Sequence, residues 1–385
     1  MGANRGKGVD EGRMIYLDYQ ATTPVAPEAA SAMAPWIEEK FANPHSPSRW
    51  GREAAAAIEV ARKQVEQAIG LSGGSAAFTG SATEAINWAI KGTLEKAPPA
   101  RNRIVTVQTE HAAVLDTCVW LESQGAEVTS LRVGRDGLLD LDEVRAAIDE
   151  SVALVAAMLV NNEIGVIQPV DEIARIAHDS GALMLCDAVQ GLGRVPIPDE
   201  ADLVAVSAHK IHGPKGIGAL WMHKSAEPAP LIHGGGQEQG LRSGTLSPAL
   251  CVGFGAAARL ASERRHADRE HVERLWAAAL EALGPGWTIN GSIDQRYRGN
   301  LNIHREGLDA ARLISDMRDI ALSLGSACAS GSGRPSHVLR AIGLSDRETR
   351  SSIRLGFGRY TSEMELAGAM RRIDETARKQ EKFAA

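Results

Sequence analysis

Between residues 75 and 222 the chain alternates short apolar runs, rich in β-branched residues, with segments whose apolar positions recur at helical spacing. The runs predict strands at 103–107, 127–131, 153–160, 183–186, 202–207 and 217–222. Helices are expected between most of them, such as 113–124, closed by Gly125, and the segment after Pro169, closed by Gly181. This alternation builds a mainly parallel sheet with helices on both faces, and ligands of such folds bind beyond the carboxyl ends of the strands. A charged helical stretch over 248–283 leads to a second region, with strands near 301–304 and 352–355 and a final helix from Ser362. The expected class is α/β: a large domain with a mainly parallel, mixed sheet, then a smaller α+β domain. The boundary is placed inside the long helix, giving a large domain over 15–262, whose first residues can pack with the small one, and a small domain over 263–385. Residues 1–14 read as a flexible extension, because ordered sequence begins at Ile15-Tyr16-Leu17.

Composition then removes several functional classes. A formal charge of −6 and a pI near 6.0 leave no domain-scale basic face, so nucleic acid and membranes are not expected partners. No apolar run approaches the roughly 18 residues of a membrane span, and the first residues carry no secretion signal, so a cytoplasmic location is expected. No His/Cys/Asp cluster has ligand spacing, so no metal is expected, and no G-x-G-x-x-G opens a βαβ unit for a nicotinamide cofactor. The four cysteines lack C-x-x-C spacing and are read as reduced thiols. Cys118, Cys186 and Cys251 sit in apolar periodic segments, where Cys is a small hydrophobe. Cys328 differs: it lies in G-S-A-C-A-S-G-S-G, among small residues that build no core, within the long connection 324–336. That segment reads as a functional, mobile loop and Cys328 as a nucleophile able to carry sulfur between two sites, although a cysteine merely tolerated in a loop would look the same.

Several other residues fall where chemistry is expected. Lys210 follows the 202–207 strand and precedes a Gly/Pro-rich turn; a desolvated amine there can form a Schiff base, the usual anchor of pyridoxal phosphate (PLP), against the alternative of a solvated lysine. Asp187 ends the preceding strand, where a carboxylate would keep the PLP ring nitrogen protonated; a turn aspartate is the alternative. Gln190 could bond the phenolic oxygen. Gly80-Ser81-Ala82-Thr83-Glu84 stands between an apolar run and a helical pattern, an arrangement that cradles phosphate or simply caps a helix, and Ser207 and His209 could add donors. His111 follows the 103–107 strand, where an imidazole could stack on the ring and transfer protons. Arg354, inside a predicted strand, needs a partner: a substrate carboxylate or an internal salt bridge. His212 has no evident role.

Taken together, these residues resemble the PLP-dependent cysteine desulfurases of the class V aminotransferase-like family. The resemblance rests on L-D-Y-x-A-T-T-P at 17–24, G-S-A-T-E, T-E-H-x-A-V-L, N-N-E-I-G at 161–165, D-A-V-Q, S-x-H-K-x-x-G-P-K-G, H-G-G-G-Q-E at 233–238, R-S-G-T at 242–245 and G-S-A-C, in that order. It implies a PLP fold-type I homodimer. Ala82, Thr83, Ser207 and His209 would bind the phosphate, with Thr245 of the neighbouring subunit. Asn162 and Arg354 would hold the substrate carboxylate, His111 would stack on the ring, and Asp187 and Gln190 would tune it. Lys210, His111 and Cys328 would be catalytic, converting L-cysteine to L-alanine and leaving the sulfur as a persulfide on Cys328. The loop around Cys328 looks like that of the longer-loop subgroup, which feeds a sulfur-acceptor protein, an iron–sulfur scaffold or a tRNA-thiolation relay. A selenocysteine lyase or another class V aminotransferase-like enzyme is the alternative. Ser48 stands where the family often has His, Gln239 replaces a frequent Arg, and the chain stops at Ala385, short of the tail with which some members dock a scaffold.

Overall fold

The computed structural model describes residues 14–324 and 335–384. The chain opens with strand β1 (Ile15–Tyr16) and helices α1 (Pro27–Glu38) and α2 (Arg49–Ile69). It then runs through β2 (Gly74–Thr79), α3 (Ala82–Lys96), β3 (Arg103–Val107), α4 (Ala112–Ser123), β4 (Glu127–Leu131), α5 (Leu141–Ala147), β5 (Val152–Met158), α6 (Val170–Asp179), β6 (Leu183–Asp187), β7 (Leu203–Ser207) and β8 (Gly218–His223). The long helix α7 (Pro248–Ala282) leads to β9 (Trp287–Ile289), β10 (Asn300–Arg305), α8 (Ala310–Asp316), β11 (Ile320–Ala321), α9 (His337–Ala341), α10 (Asp346–Arg350), β12 (Ser352–Gly356) and α11 (Glu363–Ala384).

Among the described residues one sheet has seven strands, in the order β2-β8-β7-β6-β5-β3-β4. The ladders from β7 through β4 are parallel, while β8 is antiparallel to both of its neighbours. Because β2 in turn opposes β8, it points the same way as the parallel set. The segments after β2, β3, β5, β6 and β7 therefore all leave the sheet at one edge, and the start of β8 arrives there. β5 and β7 are buried along their whole length, as strands covered on both faces must be. One face packs against α2, α6 and the first half of α7; the other packs against α3 and α4.

The strand expected over 153–160 ends at Met158. Leu159 and Val160 are as apolar as the strand, but Asn161 Oδ1 accepts from the amides of Glu163 and Ile164, and the chain turns back so that Val160 bridges Ile167. α2 begins at Ser48, whose hydroxyl accepts from the Gly51 amide at 3.1 Å, and ends at Gly70 with φ 83°. The departure at position 48 is thus a helix cap.

A second core gathers Leu17, Leu275, Trp276, Leu301, Ile353, Leu366 and Ile373. β9, β10 and β12 form its antiparallel sheet, and β1 pairs with β11, which ties residues 15–17 to this core. α7 belongs to both cores, through Cys251, Phe254 and Ala257 near its start and Leu275, Trp276 and Ala279 near its end. Cys118, Cys186 and Cys251 are buried, and burial pushes the thiols of Cys118 and Cys251 up to about 12. Among the described residues no helix is long and apolar enough to cross a membrane.

Candidate active site

A cavity of about 1090 Å³ opens at the carboxyl edge of the sheet. Ala82, Thr83, His111, Asn162, Asp187, Gln190, Ser207, His209, Lys210 and Arg354 all line it. Thr245 does not; it is exposed on the surface of its own chain. Cys328 lies outside the described residues, and Pro335, Ser336 and His337, which follow that segment, line the cavity.

At one end stands the start of α3. Ser81 caps it by accepting from the Glu84 amide at 3.2 Å, and Thr79 Oγ1 donates to the Ser81 carbonyl at 2.8 Å, fixing the turn out of β2. Ala82 and Thr83 then occupy the first helical turn, where amides lack intrahelical partners and favour an anion. The approach of α3 to the sheet depends on Gly218, since a Cβ there would lie 2.7 Å from the Ala82 nitrogen and 2.8 Å from the Val206 carbonyl oxygen. Ser207 closes β7 beside this turn. His209 places Nδ1 3.1 Å from Thr22 Oγ1, and burial together with the Lys210 charge pulls it down to about 4, so it is neutral near pH 7.

Asp187 is buried at the end of β6, and its Oδ1 accepts from the Val189 amide at 2.9 Å. Burial raises its carboxyl above the ordinary range, against that amide and the charges of His111 and Lys210. Beside it lies Glu110, also buried; its Oε1 accepts from the Met158 amide at 2.7 Å, and its Oε2 has no partner among the described residues. Burial and then the Asp187 charge push Glu110 well above the usual carboxylate value. His111 caps α4 by accepting from the Ala113 amide on Nδ1 at 3.0 Å. The ring proton therefore sits on Nε2, and burial lowers its basicity.

Lys210 sits in a single 3₁₀ turn after β7 and donates from Nζ to the carbonyls of Ala21, at 2.8 Å, and Gln20. Gln190 Nε2 donates to the same Gln20 carbonyl at 2.9 Å. Arg354, 1% exposed, pairs through Nη2 with Asp18 Oδ1 at 2.7 Å and donates through Nη1 to the Asn162 carbonyl at 3.1 Å. Of its two expected partners the internal salt bridge is the one made, by a side chain that also lines the cavity. His212 turns the other way, with φ 68°, Nδ1 2.9 Å from the Pro24 carbonyl and its ring edge-on to Tyr360.

Asp18, Gln20, Glu110 and Glu163 carry no expectation of their own in the sequence. Asp18, Glu110 and Glu163 are fixed letters of quoted motifs, while Gln20 fills the variable position of L-D-Y-x-A-T-T-P. Glu163, buried and raised by burial, accepts from the Ser336 hydroxyl, and His337 Nε2 lies 2.9 Å from the Glu110 carbonyl. An anion-binding helix start at one end, an amine in the middle and a buried carboxylate beyond it fit a phosphorylated pyridine aldehyde.

The family model for aminotransferase class-V matches residues 15–367. A protein described as cysteine desulfurase IscS from Rickettsia bellii (strain OSU 85-389) is 45% identical over 368 residues, covering 93% of this chain and 90% of that one. Its namesake from Rickettsia rickettsii (strain Iowa) is 44% identical with the same coverage. Among solved structures, a NifS-like protein superposes with a TM-score of 0.88 at 33% identity, covering 94% of this chain and 99% of that one. A structure described as SspA in complex with cysteine gives 0.80 at 34% identity, covering 90% and 100%.

Proposed function

The chain belongs to the aminotransferase class-V family, and from that premise we propose that its active site is the cavity at the carboxyl edge of the sheet, with Lys210 as the residue that holds the cofactor. It is a PLP-dependent cysteine desulfurase, an enzyme that takes sulfur from L-cysteine. The observation that carries the assignment of the site is the meeting of Lys210, Asp187, His111 and Arg354 in one cavity from four different strand or post-strand positions.

When bound, PLP supplies an electron sink that makes the Cα proton of an amino acid removable. The first turn of α3 with Ser207 and His209 would hold the phosphate, and Asp187 would pair with the ring nitrogen. Gln190 would bond the phenolic oxygen. His111, neutral and with its proton on Nε2, would stack on the ring. Arg354 and Asn162 hold the substrate carboxylate, the guanidinium sharing its fork between that group and Asp18. Lys210 would hold the cofactor, and its amine would take the Cα proton of the substrate and later return one. Cys328 thiolate attacks the substrate sulfur: an S–S bond forms, the C–S bond breaks, the carbon left behind is protonated, and alanine leaves with a persulfide on Cys328.

We further infer a homodimer in which Thr245 serves the neighbouring site, a cytoplasmic location, a division into 15–262 and 263–385, and a sulfur-acceptor protein, either an iron–sulfur scaffold or a tRNA-thiolation relay. The test of the reaction is to give the PLP-loaded protein L-cysteine and a thiol reductant and to quantify sulfide and alanine. Equal, catalytic accumulation is expected. Lys210→Ala should abolish it, and Cys328→Ser should keep the cofactor while stopping sulfur transfer. Sustained alanine production by the Cys328→Ser variant would remove the thiol from the reaction.

A further inference from the structure

Lys210 stands in the wall between two cavities. The second, about 430 Å³, is enclosed by the 192–198 loop, the charged middle of α7, and residues 296–298 and 358–359. That volume lies in the range of small-molecule sites, roughly 300–1,000 Å³. Leu159, Ile167, Leu192, Val195, Ala261 and Val272 give it an apolar lining. Its charges do not balance: six arginines line it against four acidic residues, in a chain whose formal charge is −6.

Two of those arginines are neutralised, Arg359 by Asp268 at 2.6 Å and Arg298 by Glu273. Among the described residues no carboxylate pairs with Arg194 or Arg296. Arg194 donates from Nη2 to the Lys210 carbonyl at 2.8 Å and from Nη1 to the backbone and side-chain oxygens of Gln190, and its guanidinium lies over the Tyr297 ring. Arg296 donates to four carbonyl oxygens, those of Ile164, Asn290, Ser292 and Asn300, and its guanidinium lies over the Trp276 ring. Burial pulls both guanidiniums down, Arg296 to about 10, which is the mark of cations short of an anion. At the mouth, Arg265 and Arg269 stand one turn apart on α7, both exposed.

We propose that this cavity binds a small carboxylate with an apolar body of a few carbons, the carboxylate meeting the arginines and the body lying on the Val195–Val272 side. The binding itself does not rest on the roles assigned to the first cavity, while its coupling to the cofactor does. Arg194 couples the two, because an anion drawn to it competes with the Lys210 carbonyl and with Gln190. Occupancy is therefore felt by the residues around the cofactor.

The probe is hexanoate, with hexanol as its uncharged control, titrated calorimetrically into the PLP-loaded protein in saturating L-alanine, which fills the carboxylate position of the first cavity. The expected result is saturable binding of one hexanoate per chain, no binding of hexanol, and a shift of the bound-PLP absorbance on titration. The double variant Arg265→Glu/Arg269→Glu should weaken hexanoate by roughly tenfold, and Val195→Trp, which fills the apolar side, should abolish binding. Absence of saturable binding by about 10 mM, weak even for a ligand of so few atoms, would overturn the proposal. So would hexanoate affinity unchanged in both variants, since the anion would then lie elsewhere.

Discussion

Arg354 is committed before any substrate arrives: Asp18 and the Asn162 carbonyl hold its two terminal nitrogens, and its buried Nε has no acceptor among the described residues. In the proposed role, a substrate carboxylate would join a guanidinium already oriented, which lowers the entropy cost of binding. Arg354→Lys keeps the charge and loses the fork. It should raise KM for L-cysteine roughly 10- to 100-fold, the weight of a charge-assisted hydrogen bond of about 1.5–3 kcal/mol, with kcat much less affected. Steady-state kinetics checks this, and a fall in kcat at unchanged KM would remove Arg354 from substrate binding. Glu110 makes a different prediction. Its carboxyl is raised well above 4.5 by burial and by Asp187, so the folded chain keeps a proton that the unfolded chain releases. Stability contributed by this proton is full below 4.5 and is lost as pH climbs toward the folded-state value. Glu110→Gln preserves an acceptor for the Met158 amide and does not titrate. In urea unfolding at a series of pH values, the variant should gain on the parent above 4.5, by at most about 1.4 kcal/mol per pH unit. A difference flat in pH would mean that Glu110 ionises as readily folded as unfolded.

At the level of elements, the site is a set of strand ends, and the end proposed to hold the phosphate depends on how closely α3 sits on β8. Gly218→Ala would press a methyl against the Ala82 nitrogen and the Val206 carbonyl, moving the first turn of α3 or straining β8 at about 1–3 kcal/mol. PLP affinity of the apoprotein, followed by absorbance titration, should fall by about tenfold or more; unchanged affinity would uncouple the helix start from the cofactor. Much of this frame was legible. β3 and β4 occupy the ranges expected of them because an apolar run flanked by turn residues is hard to read otherwise, and a mainly parallel sheet puts Asp187 and Lys210 at one edge. The end of β5 was not legible, because Leu159 and Val160 match the strand in character and only the Asn161 turn diverts them. Nor were the second partners in the site. Asp18 and Arg354 are 336 residues apart, and nothing local to either marks the pair. Glu110 matters only because β3 and β6 finish side by side with β5 at the same edge, and Ser48 looked like a departure from a pattern until α2 was seen to start on it.

On the scale of the whole molecule, the segment leading to Thr245 is fixed, yet Thr245 itself is exposed and lies outside the lining of its own cavity. Glu238 is clamped by Arg62 at 2.6 Å and by the Phe78 amide at 2.7 Å, and Arg242 pairs with Glu84 at 2.7 Å, in the first turn of α3. Glu238 and Gln239 accept positive φ to make this path, which costs energy in non-glycine residues. A strained, anchored segment that presents Thr245 outward is suited to completing a site on another chain. If Thr245 acts in trans, Lys210→Ala and Thr245→Arg chains are each inactive, yet a mixed dimer contains one site with an intact lysine and an intact threonine. Co-refolding equal amounts should restore about a quarter of parental activity, since about half the dimers are mixed and each has one good site of two. If Thr245 serves its own chain, or the active unit is a monomer, no mixed site exists and the mixture stays as inactive as its parts.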